Sequence, residues 1–211
     1  MSDFPKKGEK LFISGGYPTE YSHIAWGDMN MQFYGYIQGY KNAADTLIIH
    51  ALEKGCPFVL DTCVFPVCFL YRQYIELALK KIYLSNTKDT EEEKRRTLQS
   101  CQHDLRKIWS KVKVLIRSDF PDDDKSVLNV VEDYINQFAK VDKNSFAFRY
   151  PITKDLTLIN DKEKFINLRN LAERMDELES FLSTVSGVMS THRDFEKEMA
   201  LYYASEMDGY Y

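Results

Sequence analysis

Apolar side chains spaced alternately three and four residues apart return in five separate stretches of this chain. Such spacing lays one apolar stripe along a helix and gives a strand no continuous face. The first stretch, about Met31 to Lys54, carries Ile37, Tyr40, Ala44, Leu47, Ile48 and Ala51, and ends where Gly55, Cys56 and Pro57 break a helix. The second, about Val59 to Leu84, is apolar almost all round at its start and amphipathic after Tyr71, the pattern of a central buried helix with Pro66 as the site of a kink. A short helix from about Gln102 to Arg117 turns Leu105, Ile108, Trp109, Val112 and Leu115 or Ile116 inward. Pro121 stops it. Asp122, Asp123 and Asp124 then favour a new helix start, because carboxylates complement the helix dipole, and Leu128, Val131, Ile135 and Phe138 give that helix a core face as far as Lys140. The last stretch, about Lys162 to Met189, aligns Phe165, Leu168, Leu171, Ala172, Met175, Leu178, Leu182 and Val185.

Short connections make sequential helices antiparallel neighbours, so the expected fold is an all-α antiparallel bundle of about five helices. Three regions lack the helical period. Residues 1–30 read as an irregular aromatic arm, with Phe12, Tyr17, Tyr21 and Trp26, that packs on the body. Asn86 to Arg96 reads as a charged, solvated loop. Around 146–159, Phe146-Ala147-Phe148-Arg149-Tyr150-Pro151 and Leu156-Thr157-Leu158-Ile159 alternate about a Thr-Lys-Asp turn, which predicts a short extended hairpin supported by the helices. Residues 31–190 then form one domain, and 191–211 a helical extension with an acidic, tyrosine-rich tail. With 211 residues the chain is long enough to bury a core without disulfides or metals.

A net charge of -4 and a pI near 5.6 exclude a global positive field, so any contact with RNA must be local. Cys56, Cys63, Cys68 and Cys101 show no C-x-x-C spacing and are expected as buried free thiols. The N-terminal MSDFPKKGEK has no apolar core for secretion, and the apolar run Cys63 to Tyr71 is too short to span a bilayer. A cytoplasmic protein without a membrane partner is the expectation.

Phosphate-cradling glycine loops, dinucleotide fingerprints, zinc-protease helices and nucleophile elbows are absent from the sequence, and the scattered histidines suggest no metal set. Two local patterns remain. Arg72, Glu76 and Lys80 stand at successive helical turns, so they can pair with one another as a partly buried polar seam. His103 opens a helix beside Asp104. Asp104 can cap that helix, and His103 can bond a neighbouring turn. Alternatively, His103 is the general acid or base for attack of a ribose 2'-hydroxyl on its phosphate, with an arginine neutralising the phosphorane. Candidate arginines are Arg96, Arg149 and Arg72. Arg149 lies between aromatics, where its guanidinium can stack and reach a carboxylate or phosphate. Lys94, Arg95 and Arg96 with Arg106 and Lys107 form either a local phosphate-binding patch or a solvated face.

Together, Tyr71-Arg72-Gln73-Tyr74-Ile75-Glu76-Leu77-Ala78-Leu79-Lys80-Lys81-Ile82, His103-Asp104-Leu105 and Arg149-Tyr150-Pro151 resemble the successive helix and motif signatures of the HEPN family, over about residues 32–185. The resemblance implies an all-α bundle, usually a homodimer, from prokaryotic toxin-antitoxin and antiviral defence systems, often partnered by a nucleotidyltransferase or antitoxin. It implies RNA as substrate and no cofactor. Active members cleave RNA without metal through an arginine and a histidine a few residues later, supplied by both protomers. Here His103 with Arg96 or Arg149 would carry the catalysis, and Arg72, Glu76, Asp104 and Tyr150 would bind phosphate or support the site. The same motifs also resemble a branch whose catalytic residues are frequently lost, which implies a module binding a partner protein, a nucleotide or RNA.

Overall fold

The structure, a computed structural model, describes residues 4–121, 125–142, 145–159 and 164–208. Among them it is all-α, with six helices: α1 Met29–Lys54, α2 Pro57–Asn86, α3 Glu91–Cys101, α4 Leu105–Asp119, α5 Ser126–Val141 and α6 Leu168–Asp208. Each boundary has a local cause. Asp28 caps α1 by accepting from Met31 N, and Gly55 ends it in the left-handed conformation (φ 57°) that glycine adopts without a steric penalty. Pro57 starts α2 at a position where its missing N–H costs nothing, and the helix continues through Pro66. Asp104 caps α4 through Arg106 N.

α2 is the hub, packing against α1, α4 and α6. α3 rests on α4, α4 on α5, and α6 also reaches α1 and α4. The core collects the stripes read from the sequence: Ile37, Ala44, Ile48 and Ala51 from α1; Leu105, Ile108, Trp109, Val112 and Ile116 from α4; Leu128, Val131 and Ile135 from α5; Met175, Leu178 and Leu182 from α6. By length and hydropathy α2 is the one helix among the described residues able to cross a membrane. It nevertheless buries Arg72 and Glu76 against other helices, as the core helix of a helical body does.

Several expectations change. The charged stretch after Asn86 holds a helix, α3, instead of a loop. Thr90 and Glu93 form a reciprocal capping box there, with Glu93 N donating to Thr90 Oγ1 (3.3 Å) and Thr90 N to Glu93 Oε2 (2.8 Å). The run Glu91-Glu92-Glu93 that resembled solvated coil lies in the first turn, where negative charge stabilises a helix. The extended excursion of 146–159 reduces to one antiparallel bridge, Ile152 with Leu158, and residues 147–149 form a turn. Residues 143–144 and 160–163 on either side of it lie outside the described residues, as do Asp122, Asp123 and Asp124.

α6 begins at Leu168 because Asn167 Oδ1 accepts from Asn170 N (3.0 Å), so Phe165 precedes the helix and is 90% exposed instead of joining the stripe. At its other end α6 runs unbroken through the expected extension, exposing Phe195, Leu201 and Tyr203; the last residues of the tail, 209–211, lie outside the described part. The N-terminal arm is irregular from Phe4 to Gly27 and exposed throughout, its Trp26 ring meeting Gly35 of α1. Cys68 and Cys101 are buried thiols, Cys63 is half-buried and Cys56, just before α2, is exposed.

Candidate functional site

On α2, Arg72, Glu76 and Lys80 fall one turn apart on the face that meets the α3–α4 turn and the end of α5. Arg72 is fully buried, and a buried guanidinium is stable only if its donors find acceptors. They do. Nη1 donates to Glu76 Oε2 (2.9 Å), Nε to the Asp142 carbonyl (3.2 Å), and Nη2 to the His103 carbonyl. Asp142 Oδ2 adds charge 3.5 Å from Nε, and Oδ1 accepts from Phe146 N (2.7 Å) and Ala147 N (3.1 Å). One side chain therefore docks the turn bearing His103 and the loop leading to Arg149 and Tyr150.

Glu76 is equally occupied. Its Oε1 receives Lys80 Nζ (2.6 Å) and meets His103 Nδ1 (2.9 Å). Burial pushes this carboxyl up, but Lys80, Arg72 and His103 outweigh it and hold the group below the usual carboxylate range. Glu76 is thus an anion facing Nδ1, which favours an Nδ1–H donor toward the carboxylate. The Glu76 side chain is 3% exposed and that of His103 61%, so a buried carboxylate orients an imidazole that reaches solvent. Lys80, on the same carboxylate oxygen, sets a cation next to it. This arrangement can accept a proton from a hydroxyl and stabilise an oxyanion.

Of the residues expected in a site, the fold joins Arg72, Glu76 and His103. Arg72 is a structural anchor and offers phosphate nothing. Asp104 caps α4 and lies 3.4 Å from Arg106 Nε. Arg96 does not join: it sits on α3, not in a loop, and its Nε binds Glu92 Oε1 at 3.0 Å on the solvent side. Lys94 and Arg95 are likewise paired, with Glu91 and Glu92. Arg149 donates to the Ser145 carbonyl and lies over the Tyr150 ring.

Two residues escaped notice although their positions carried a signal. Asp142 extends the α5 stripe by one more interval, where an apolar residue would continue it. Lys41 does the same within Ile37, Ala44, Ile48 and Ala51 of α1. It is 2% exposed and binds Asp176 (2.6 Å), Asp45 (2.8 Å) and Glu179 (3.2 Å), while Tyr71 donates to Asp45 (2.7 Å). Burial lowers its pKa, but these carboxylates raise it further, so Lys41 stays charged and ties α1 to α6. A polar residue in register with an apolar stripe is the mark of both buried networks.

A cavity of about 260 Å³ between α2, α5 and α6, lined by Cys68, Phe138, Phe148 and Met175, contains none of these groups. Among the described residues no set of His, Cys, Asp or Glu side chains gathers to hold a metal. No family model, curated protein or solved structure matches the chain.

Proposed function

We propose that this is a HEPN-like protein of a prokaryotic defence or toxin-antitoxin system, cytoplasmic, that cleaves RNA without metal through His103. The observation that carries the reading is the Glu76–His103 pair, a solvent-facing imidazole held by a buried carboxylate with Lys80 alongside. His103 Nε2 takes the proton of the ribose 2'-hydroxyl as that oxygen attacks phosphorus. The P–O5' bond breaks, leaving a 2',3'-cyclic phosphate, and the departing oxygen takes a proton to become a 5'-hydroxyl. Because attack and departure occur on opposite sides of phosphorus, a second acid is needed. A second copy of His103 across the two-fold axis of a homodimer supplies it. Lys80 contributes positive charge as the phosphorane forms.

The alternative is a non-catalytic HEPN-like module that binds a partner protein, a nucleotide or RNA. It is favoured by one observation: Arg72 and Arg96, two of the three arginines expected to meet the phosphate, are committed to protein acceptors. Purified protein incubated with tRNA or total RNA in EDTA separates the readings. The first expects cleavage to cyclic-phosphate ends that His103→Ala abolishes; RNA left intact at high protein excess would sink it.

A further inference from the structure

We propose that Tyr150 and Arg149, with Phe146 behind them, form a binding site for one unpaired nucleobase of single-stranded RNA. The proposal rests on His103 acting at an RNA phosphate and names how the strand beside it is held. The Phe146 and Tyr150 rings stack 4.6 Å apart and tilted by 31°, and the Arg149 guanidinium carbon lies 5.4 Å from the Tyr150 centroid. Core packing does not account for them, since neither ring joins the hydrophobic core and Tyr150 is 49% exposed. Arg149 is exposed too. Its Nε is anchored on the Ser145 carbonyl, and among the described residues no carboxylate pairs with it. A half-exposed aromatic ring beside an un-neutralised guanidinium is the chemistry that takes a base by stacking and its phosphate by charge. In a chain of net charge -4, such a local cation is what an RNA contact requires.

Placement completes the case. Asp142 fixes the Phe146 and Ala147 amides, Gln73 Nε2 fixes Ser145 Oγ (2.7 Å), and both partners lie on or against α2. Through Asp142 and the His103 carbonyl on one Arg72 guanidinium, the platform and the imidazole are built on the same support. That shared support is what would couple a base held on the platform to the phosphate at His103.

The test measures binding of short single-stranded RNA to the full chain carrying His103→Ala, so that the RNA stays intact. Adding Tyr150→Ala should weaken binding roughly five- to a hundredfold, the effect of losing one base stack. Tyr150→Phe, which keeps the ring, should restore most of that loss. Arg149→Gln, which keeps the stack, should lower the slope of log affinity against log salt by about one and decides the matter if Tyr150→Ala fails to fold. Unchanged affinity and salt slope, or no RNA binding at all, overturns the platform. Cleavage that needs His103 but keeps its KM in Tyr150→Ala overturns the platform and spares the ribonuclease. Tyr150-dependent binding without cleavage supports the platform and overturns the ribonuclease.

Discussion

Arg72 of α2 donates through Nη2 to the backbone carbonyl of His103, so the turn between α3 and α4 hangs from a buried guanidinium of the central helix. The same group bonds Glu76 and the Asp142 carbonyl. Of the two roles open to Arg72 in the sequence, buried seam residue or phosphate ligand, the structure gives it the first, as the support of the turn bearing His103.

Arg72→Met should destabilise the fold by about 3–5 kcal/mol, since it strips a guanidinium from acceptors buried for it. Arg72→Lys should recover little, because one ammonium cannot span acceptors on three segments. Urea unfolding of both variants measures this; a lysine variant as stable as the parent would contradict the anchor.

Glu76 gives the fold an acid-sensitive component. Its folded pKa is depressed, so its contribution is present above the unfolded value, about 4.3, and is lost as pH falls through the folded one. Glu76→Gln should be less stable than the parent at neutral pH, and the gap should shrink steadily below about pH 5. A gap independent of pH would show that the amide fails for reasons of packing alone. In the RNA assay the same variant should lose about a hundredfold in rate, as the imidazole loses its orienting anion.

Lys41→Met leaves Asp45, Asp176 and Glu179 facing one another without their cation. A loss of about 2 kcal/mol at neutral pH is expected. In the parent, Lys41 itself has a raised pKa, and its contribution persists below the unfolded value of about 10.4 and fades only above it. Thermal melts of both proteins at neutral pH measure the loss, and a variant as stable as the parent would contradict the tie between α1 and α6.

Gln102, the residue before His103, has φ 49° and ψ -115°, a conformation that suits glycine better than any residue with a side chain. Gln102→Gly should stabilise the protein by about 1 kcal/mol while leaving the Arg72 and Glu76 contacts of His103 intact. Denaturant unfolding gives the sign directly, and a destabilised variant would mean the Gln102 side chain makes up for its strained backbone.

The helical class and most of each core face were legible along the chain, because a stripe of period 3.6 is a local property. The sequence also contained the Arg72–Glu76–Lys80 seam and the Asp104 cap, which join residues within one or two helical turns. Its misreadings at Glu91–Glu93 and Phe165 were also local, since capping by Thr90 and Asn167 overrode composition and stripe. Which distant groups meet came from packing instead: Glu76 with His103, Arg72 with Asp142, Lys41 with Asp176. Polar residues standing in register with apolar stripes, Lys41 and Asp142, marked that something must pair there. The partner of a buried charge is set by how helices pack across the core, and no spacing along one helix encodes it.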